Sequence, residues 1–187
     1  MKLQFGSGPN ILEGWTNLQE HDGDITRRLN FDDASVDFVF TEHCVEHVTP
    51  LQGFRFFKEC RRILKPGGVL RVIVPDVKSI WEKCDADYLD FIDSQMSEWW
   101  QHAGQSPPYH PCTCEVAFET ILVCHGHRAA YTPDLLLTFL QAAGFAAEIV
   151  PYGTSRFPEL DGVDSHWRQM GLARVIMESV CAEAVKL

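Results

Sequence analysis

Short apolar runs bounded by polar or turn residues recur along the first part of the chain. Two of them, Lys2–Phe5 and Trp15–Leu18, have the length of short strands. Val36–Phe40 is rich in β-branched and aromatic residues, and Val69–Val74 is a continuous apolar run of the kind that forms a buried strand. The pattern therefore predicts four strands before Asp76.

Two other segments carry apolar residues three and four positions apart, which is the spacing of an amphipathic helix. The first follows Thr49-Pro50 and continues to the turn residues 66–68. The second follows Thr132-Pro133 and ends at Gly144, since glycine readily adopts the left-handed conformation of a helix end. A strand, a helix and a strand joined by short turns form a right-handed parallel crossover, so the pattern predicts an α/β fold.

Three later segments complete the predicted organisation. Ala147–Val150 and Arg174–Cys181 have the composition of strands, and the polar residues 152–171 between them are expected to form a surface loop. Residues 77–128 carry aromatic side chains at helical spacing, broken by a Pro107-Pro108 turn. This stretch predicts a helical insertion outside the sheet.

The composition indicates which kinds of partner and which cellular compartment to expect. A chain of 187 residues fits a single domain, and its formal charge of −10 argues against nucleic acid, whose binding depends on Lys and Arg neutralising phosphates. No apolar run is long enough to span a membrane, and the first residues lack a signal-peptide core, so we expect a cytoplasmic protein without membrane contact. Seven cysteines without the regular spacing of a secreted framework predict reduced thiols.

A Gly-Ser-Gly turn at residues 6–8 follows the first predicted strand. A dinucleotide fingerprint requires a third glycine and a helix whose amides hold a pyrophosphate. Here Pro9 and Asn10 follow the turn, and too few residues precede the next strand for a crossover helix. The turn is therefore either purely structural or a place where a nucleoside without phosphates approaches the backbone closely.

A family resemblance is carried by four segments taken together: LQFGSGPNILEGWTNLQ, DITRRLNFDDASVDFVFTEHCVEHV, RFFKECRRILKPGGVLRVIVPD and YTPDLLLTFLQAAGF. In order and spacing they resemble the class I S-adenosylmethionine-dependent methyltransferases, in particular the type-11 branch, over residues 1–76 and 128–150. The resemblance implies a doubly wound, Rossmann-like, mostly parallel sheet with an antiparallel last strand. It also implies methyl transfer from S-adenosylmethionine to a small-molecule acceptor, with S-adenosylhomocysteine as product.

The resemblance assigns residues to the cofactor site. The glycine turn would lie under the methionine part, Asp24 and Ile25 would read the adenine edge, and residues 41–43 would face the sulfonium. For Asp24 the alternative is a solvated turn acid. The full cofactor set that the resemblance implies is Phe5, Gly6, Ser7, Gly8, Gln19, Asp24, Ile25, Thr41, Glu42 and His43.

Two features depart from the family pattern. Relatives carry Asp or Glu where this chain has Gln19, because a carboxylate accepts hydrogen bonds from both ribose hydroxyls. A neutral amide oxygen makes a weaker bond, so we expect reduced cofactor affinity. Many relatives also have a helical segment ahead of their first strand, where this chain has only Met1. We therefore expect an open site, or one closed by a partner chain as in a homodimer.

Three histidines are candidates for the group that takes a proton from the acceptor. Methyl transfer is an in-line displacement, so a general base is needed only when the nucleophile must lose a proton. His43 and His47 share one face if a helix begins there, and His127 corresponds to a histidine that relatives often carry ahead of the second helix. The alternative for His47 and Glu46 is local hydrogen bonding at a helix start.

Two other functions stay open from the sequence. Gln19 suggests a catalytically weak or inactive methyltransferase fold that acts as a binding module. Residues 110–127 hold several Cys and His side chains, the ligands that zinc prefers, which suggests a zinc-binding module. Their spacing differs from the usual Cys-x-x-Cys pairs, so no metal is expected there. The cluster consists of His110, Cys112, Cys114, Cys124, His125 and His127.

Overall fold

The computed structural model describes residues 1–102, 113–119, 121–122 and 125–187. Within them, the strands of a single sheet are β1 (Lys2–Phe5), β2 (Thr16–Leu18), β3 (Val36–Glu42), β4 (Leu64–Pro75), β5 (Phe145–Val150) and β6 (Ser179–Lys186). The helices are α1 (Pro50–Ile63), α2 (Val77–Glu82), α3 (Ala86–His102), α4 (Cys114–Glu119), α5 (Pro133–Ala142), α6 (Trp167–Met170) and α7 (Leu172–Glu178), with a 3-10 helix at Val45–His47. Among the described residues, no helix combines the length and apolar character needed to cross a bilayer.

The sheet has the strand order β2-β1-β3-β4-β6-β5. The first four of these strands are parallel, while β6 runs antiparallel to both of its neighbours, β4 and β5. Phe5 of β1 pairs with Leu18 of β2 and with Thr41 of β3, so these three strands end at the same edge of the sheet. The arrangement confirms the predicted mostly parallel α/β sheet with an antiparallel last strand.

The helix α1 forms where the sequence predicts it because both its start and its apolar face are specified. The Thr49 hydroxyl accepts a hydrogen bond from the Gln52 amide, and the Gln52 side chain accepts one from the Thr49 amide, which completes a capping box. The apolar face then packs on the sheet, where Phe56 meets Phe5 edge to face at 5.2 Å. This packing fixes the strand that leads into the glycine turn.

The predicted strand at Arg174–Cys181 is wrong. Residues up to Glu178 form α7, and β6 begins only at Ser179. Arg174 and Glu178 lie four positions apart and pair through their side chains at 2.8 Å, an interaction that a helix allows and an extended strand does not. The apolar residues between them suggested a strand, but the side-chain pairing follows the helical period.

Helices α2, α3 and α4 have an apolar cluster of their own, separate from the main core. Cys84 and Cys114 form a disulfide there, with Cα atoms 5.8 Å apart, a separation that a disulfide spans. The expectation that all cysteines are reduced is therefore wrong for this pair, because the two helix ends meet. The predicted Pro107-Pro108 turn lies outside the described residues.

Residues 152–171 were expected to form a surface loop, yet part of the segment 151–171 is buried. Leu160 and Val163 pack on one face of the sheet, opposite the face covered by α1. Asp164 pairs with Arg71, which projects from β4 and also contacts Glu183 at 2.7 Å, and all three side chains are fully buried. Arg71 would be an unpaired buried cation without these carboxylates, so the segment is an integral layer of the fold.

Candidate active site

The predicted site residues meet where β1, β2 and β3 end. In parallel α/β sheets, ligands bind at the carboxyl ends of the strands because loops from several strands converge there. The turn at residues 6–8, Gln19 after β2 and His43 after β3 all lie at this edge. The positions that the sequence placed in three separate segments therefore share one surface of the protein.

A cavity of about 440 Å³, here called the glycine-loop cavity, opens beside this turn. Its volume is within the range of small-molecule sites. Of the expected cofactor residues, Phe5, Ser7 and Thr41 are buried behind it and Gly8 is exposed beside it. The residues that line it are Gly6, Gln19, Glu20, Gly23, Asp24, Ile25, Thr26, His43, Cys44, His47, Val48 and Gly126.

Both glycines of the turn adopt left-handed backbone conformations, but their surroundings differ. At Gly6, with φ +67°, a Cβ atom would lie 2.7 Å from Cys44 Sγ, so glycine is required by packing within the protein. At Gly8, with φ +51°, a Cβ atom would meet no protein atom within 4 Å. The space beside Gly8 is therefore open to a ligand.

The Gln19 amide is used to hold the glycine turn. Its Nε2 donates hydrogen bonds to Ser7 Oγ at 2.9 Å and to the Gly8 carbonyl at 2.8 Å. A carboxylate cannot donate either bond. Gln19 is therefore more than a weaker replacement for an acid, because it ties the end of β2 to the turn that follows β1.

We expect Gln19→Glu to weaken binding of S-adenosylhomocysteine by about 5- to 10-fold, the equivalent of one lost hydrogen bond near 1 kcal/mol. The substituted carboxylate would face the Gly8 carbonyl without a hydrogen bond, so the glycine turn would no longer be held in place. We expect this loss to exceed the gain from a carboxylate that accepts hydrogen bonds from the ribose hydroxyls. Isothermal titration of both proteins measures the change. Tighter binding by the variant would mean that acceptance of ribose hydroxyls dominates.

Asp24 forms a local turn at the wall of the glycine-loop cavity. Its Oδ1 accepts hydrogen bonds from the Thr26 hydroxyl at 2.6 Å and the Thr26 amide at 2.9 Å, and Oδ2 lies 2.9 Å from Arg27 Nε. The Thr26 bonds and the Arg27 charge hold the pKa of Asp24 below its ordinary value. Asp24 therefore stabilises a local turn in the structure, while its contact with adenine stays a prediction.

Glu42 is directed towards the buried layer formed by segment 151–171. Its Oε1 accepts a hydrogen bond from the Tyr152 hydroxyl at 2.7 Å, and Oε2 accepts bonds from the amides of Ser165 at 2.9 Å and His166 at 3.1 Å. Glu42 is not among the residues that line the glycine-loop cavity. It positions the segment that carries His166, and its direct contact with a cofactor stays a prediction.

His43 is held by contacts on both ring nitrogens. Nδ1 lies 3.3 Å from Glu46 Oε1, and Nε2 lies 3.1 Å from Ser179 Oγ. The ring stacks on His166 with centroids 4.1 Å apart. A carboxylate beside Nδ1 favours the tautomer with its proton there, which leaves Nε2 as the basic nitrogen.

A second cavity, of about 350 Å³ and here called the histidine cavity, lies on the other side of His43. His43 and His47 line both cavities, so these two side chains stand where the cavities adjoin. All three histidines proposed as bases line the histidine cavity. Its lining consists of His43, Glu46, His47, Pro75, Ile80, Ile121, His125, His127, His166, Gln169, Arg174 and Glu178.

The histidine cavity combines the neutral imidazoles of His127 and His166 with two buried carboxylates, those of Glu46 and Glu178. Burial lowers the pKa of His127 to about 4 and that of His166 to about 4, so both rings are uncharged at neutral pH. Burial raises the pKa of Glu46, but its contact with His43 and the charge of protonated neighbouring histidines outweigh this, and the net shift is downward. Arg174 and Glu178 neutralise one another.

The lowered pKa of His166 predicts a loss of stability in mild acid. Its ordinary value is 6.5 and its folded value about 4, so the unfolded chain binds the proton more readily between these pH values. The free energy of unfolding should therefore fall as pH decreases from 6.5 towards 4. His43, Glu46, His125 and Arg174 are the ionisable groups that act on the ring.

The matched variant is His166→Gln, which stays neutral throughout. Between pH 7 and pH 5 the free energy of unfolding should fall by about 1 kcal/mol more in the wild type than in the variant. This value is smaller than the full pKa shift would give, because the His166 ring is partly exposed to solvent. Urea unfolding at several pH values measures the difference. Parallel stability curves for the two proteins would contradict the assignment.

Several residues of the site were not predicted from the sequence. His166 lies in the segment expected to be a surface loop, and Ser179 and Glu178 lie where a strand was predicted to continue. Nothing in the local pattern indicates that Ser179 reaches His43, because the contact depends on the antiparallel pairing of β4 with β6. For Glu46, the sequence feature that could have indicated a place in the site is its position between the candidate bases His43 and His47.

The geometry agrees with comparisons to known proteins. Residues 9–72 match the family model described as a methyltransferase domain. A SAM-dependent methyltransferase of Thermotoga maritima, described as a possible histamine N-methyltransferase, superposes with a TM-score of 0.54 at 18% identity, covering all of this chain and 82% of that chain. The chain has the fold of an S-adenosylmethionine-dependent methyltransferase. The match over residues 9–72 and the shared fold agree with the family resemblance found in the sequence.

Two further structures share this methyltransferase fold. An S-adenosylmethionine-dependent methyltransferase from Mesorhizobium loti has a TM-score of 0.54 at 13% identity, covering 98% of this chain and 89% of that one. Phosphoethanolamine N-methyltransferase 2 of Haemonchus contortus, in complex with S-adenosyl-L-methionine, has a TM-score of 0.52 at 13% identity, covering 99% of this chain and 48% of that one. No match was found among curated proteins.

Proposed function

We propose that the protein is an S-adenosylmethionine-dependent methyltransferase that acts on a small-molecule acceptor. The observation that carries the proposal is the meeting of two cavities at His43 and His47. A methyl transferase needs adjoining sites for the cofactor and the acceptor, because the methyl group moves directly between them. The glycine-loop cavity takes the cofactor, and the histidine cavity takes the acceptor.

The cofactor is held chiefly by the glycine turn and the end of β2. The open space beside Gly8 admits the methionine part, Gln19 offers its amide oxygen to the ribose, and Asp24 with Ile25 contacts the adenine edge. S-adenosylmethionine brings the leaving group when bound. The family match over residues 9–72 and the methyltransferase fold support this cofactor.

His43 acts as general base for an acceptor hydroxyl. Glu46 keeps the proton of the neutral ring on Nδ1, and Nε2 takes the proton that the acceptor oxygen loses. Bound S-adenosylmethionine would supply the methyl group to this oxygen and would leave as a neutral thioether, so the chain has to align the two reactants and accept the proton. The acceptor hydroxyl replaces Ser179 as the donor to Nε2.

A direct test combines a binding and a turnover measurement. We expect S-adenosylhomocysteine to bind with a micromolar dissociation constant by isothermal titration. A screen of small hydroxyl and carboxyl compounds identifies the acceptor when an added S-adenosylhomocysteine hydrolase converts the product to homocysteine, which is then measured. Failure to bind S-adenosylhomocysteine below millimolar concentration would contradict the proposal.

A catalytically inactive binding module is the second candidate. It is favoured by the engagement of Gln19 Nε2 with the glycine turn and of Glu42 with the 151–171 segment, because both groups were expected to serve the cofactor. Micromolar binding of S-adenosylhomocysteine excludes a module that has lost the cofactor.

The zinc module expected as an alternative at residues 110–127 is not supported. Cys114 is joined to Cys84, and a disulfide sulfur is not available as a thiolate ligand. His110, Cys112 and Cys124 lie outside the described residues.

A further inference from the structure

We propose that Glu46, His47 and His127 bind a divalent metal ion of the zinc class in the wall of the histidine cavity. Each offers one ligand atom, and these atoms all lie within 4.8 Å of one another. Ligand atoms about 2.1 Å from a tetrahedral zinc ion lie about 3.4 Å from one another. Side-chain rotations that close the separations by up to about 1.4 Å bring the three atoms onto a single ion.

The Glu46 carboxylate is the strongest indication of a missing cation. Its side chain is 1% exposed, and neither oxygen receives a hydrogen bond from the described residues. His43 Nδ1 lies 3.3 Å from Oε1, which leaves Oε2 free for another partner. A buried carboxylate whose only polar contact is one long approach from a histidine ring is costly, and a bound cation offsets that cost.

The backbone holds the two parts of this site together without a metal. The amides of Arg128 and Ala129 donate hydrogen bonds of 2.7 and 3.1 Å to the Glu46 carbonyl. This fastens the segment that carries His127 to the 3-10 helix that carries Glu46 and His47. The rings of His47 and His127 stand nearly perpendicular, with centroids 4.8 Å apart. A preformed pair of imidazoles reduces the ordering that metal binding requires.

The donor set selects the class of metal. Two imidazoles and one carboxylate form the three-ligand set of catalytic zinc sites, which keep a fourth position open. Calcium and magnesium prefer oxygen ligands throughout, so they fit these residues poorly. His47 is exposed and lines both cavities, so the open position is accessible from solvent. The site shares only His127 with the cluster considered at residues 110–127.

The test uses the full chain without an affinity tag, treated with a chelator and then titrated with Zn²⁺ alone. We expect one ion per chain at the site. Glu46→Gln and His127→Asn should each weaken binding by at least about 100-fold, since even partners behind metal ligands are worth 10- to 100-fold. The control His125→Asn removes a nearby histidine outside the ligand set and should change affinity less than about 3-fold, well below that range.

Titration with Co²⁺ gives a second measurement, because its visible absorption reports nitrogen and oxygen ligation. The proposal is overturned if Zn²⁺ does not bind, if binding survives both Glu46→Gln and His127→Asn, or if His125→Asn abolishes it equally. Circular dichroism checks that each variant folds. If Glu46→Gln does not fold, the test is His47→Asn, because His47 is exposed and its substitution should not affect folding. Unchanged Zn²⁺ affinity in His47→Asn would overturn the proposed metal site.

Discussion

Gly8→Val should abolish binding of S-adenosylhomocysteine while leaving the fold intact. A Cβ atom at Gly8 meets no protein atom within 4 Å, so the valine methyl groups would occupy the open space beside the turn, to which we assign the methionine part of the cofactor. The left-handed backbone, with φ +51°, adds a strain of about 1–2 kcal/mol for any L side chain. Isothermal titration measures the binding, and thermal unfolding measures the strain.

A control that carries the same strain away from the site is available. Gly67 also has a left-handed backbone, with φ +78°, and open space at its Cβ position, but it lies near the amino end of β4. Gly67→Val should therefore lower stability by a similar amount and keep cofactor binding. If both variants lose binding, strain rather than occlusion is the cause, and the assignment of the glycine turn is not supported.

His43→Asn should lower turnover on a hydroxyl acceptor by about 100-fold or more, the usual contribution of a general base. Asparagine suits the position because it tolerates the left-handed backbone that His43 adopts, with φ +48°. It keeps a polar side chain of similar reach but cannot take a proton from the acceptor. Turnover is measured at saturating cofactor and acceptor.

The affinity for S-adenosylhomocysteine separates this role from a structural one. It should change little in His43→Asn, because the base acts on the acceptor and not on the cofactor. A variant that loses cofactor affinity but keeps turnover at saturation would limit His43 to a cofactor-binding role. The base would then be sought among the other residues that line the histidine cavity.

The sequence was informative where local signals agree with one another. The helix α1 has a capping box, a first-turn proline and an apolar face, all of which specify the same element. The run from Val36 is likewise rich in β-branched and aromatic residues, and it forms β3. At residues 174–178, apolar residues suggested a strand while the Arg174–Glu178 spacing favoured a helix, and the helix formed.

Only those residues of the candidate site that directly follow the end of a strand could be predicted from the sequence. The glycine turn, Gln19 and His43 follow strand ends, so parallel order is enough to bring them to one edge. The partners that orient them come from elsewhere in the chain. Ser179 reaches His43 through β6, and His166 reaches it through a buried segment fastened by Glu42. Such contacts depend on tertiary pairing, which one sequence does not encode as a local pattern.

The position of β6 between β4 and β5 sets an order for folding during synthesis. Both of these strands leave the ribosome before the strand that joins them, and among the described strands β5 pairs only with β6. The nascent chain therefore exposes two unpaired strand edges until Lys186 has been made. Unpaired edges of this kind promote association between incomplete chains. We expect nascent chains stalled before Ser179 to bind chaperones and to resist compaction, although the segments that form the glycine-loop cavity have already been translated.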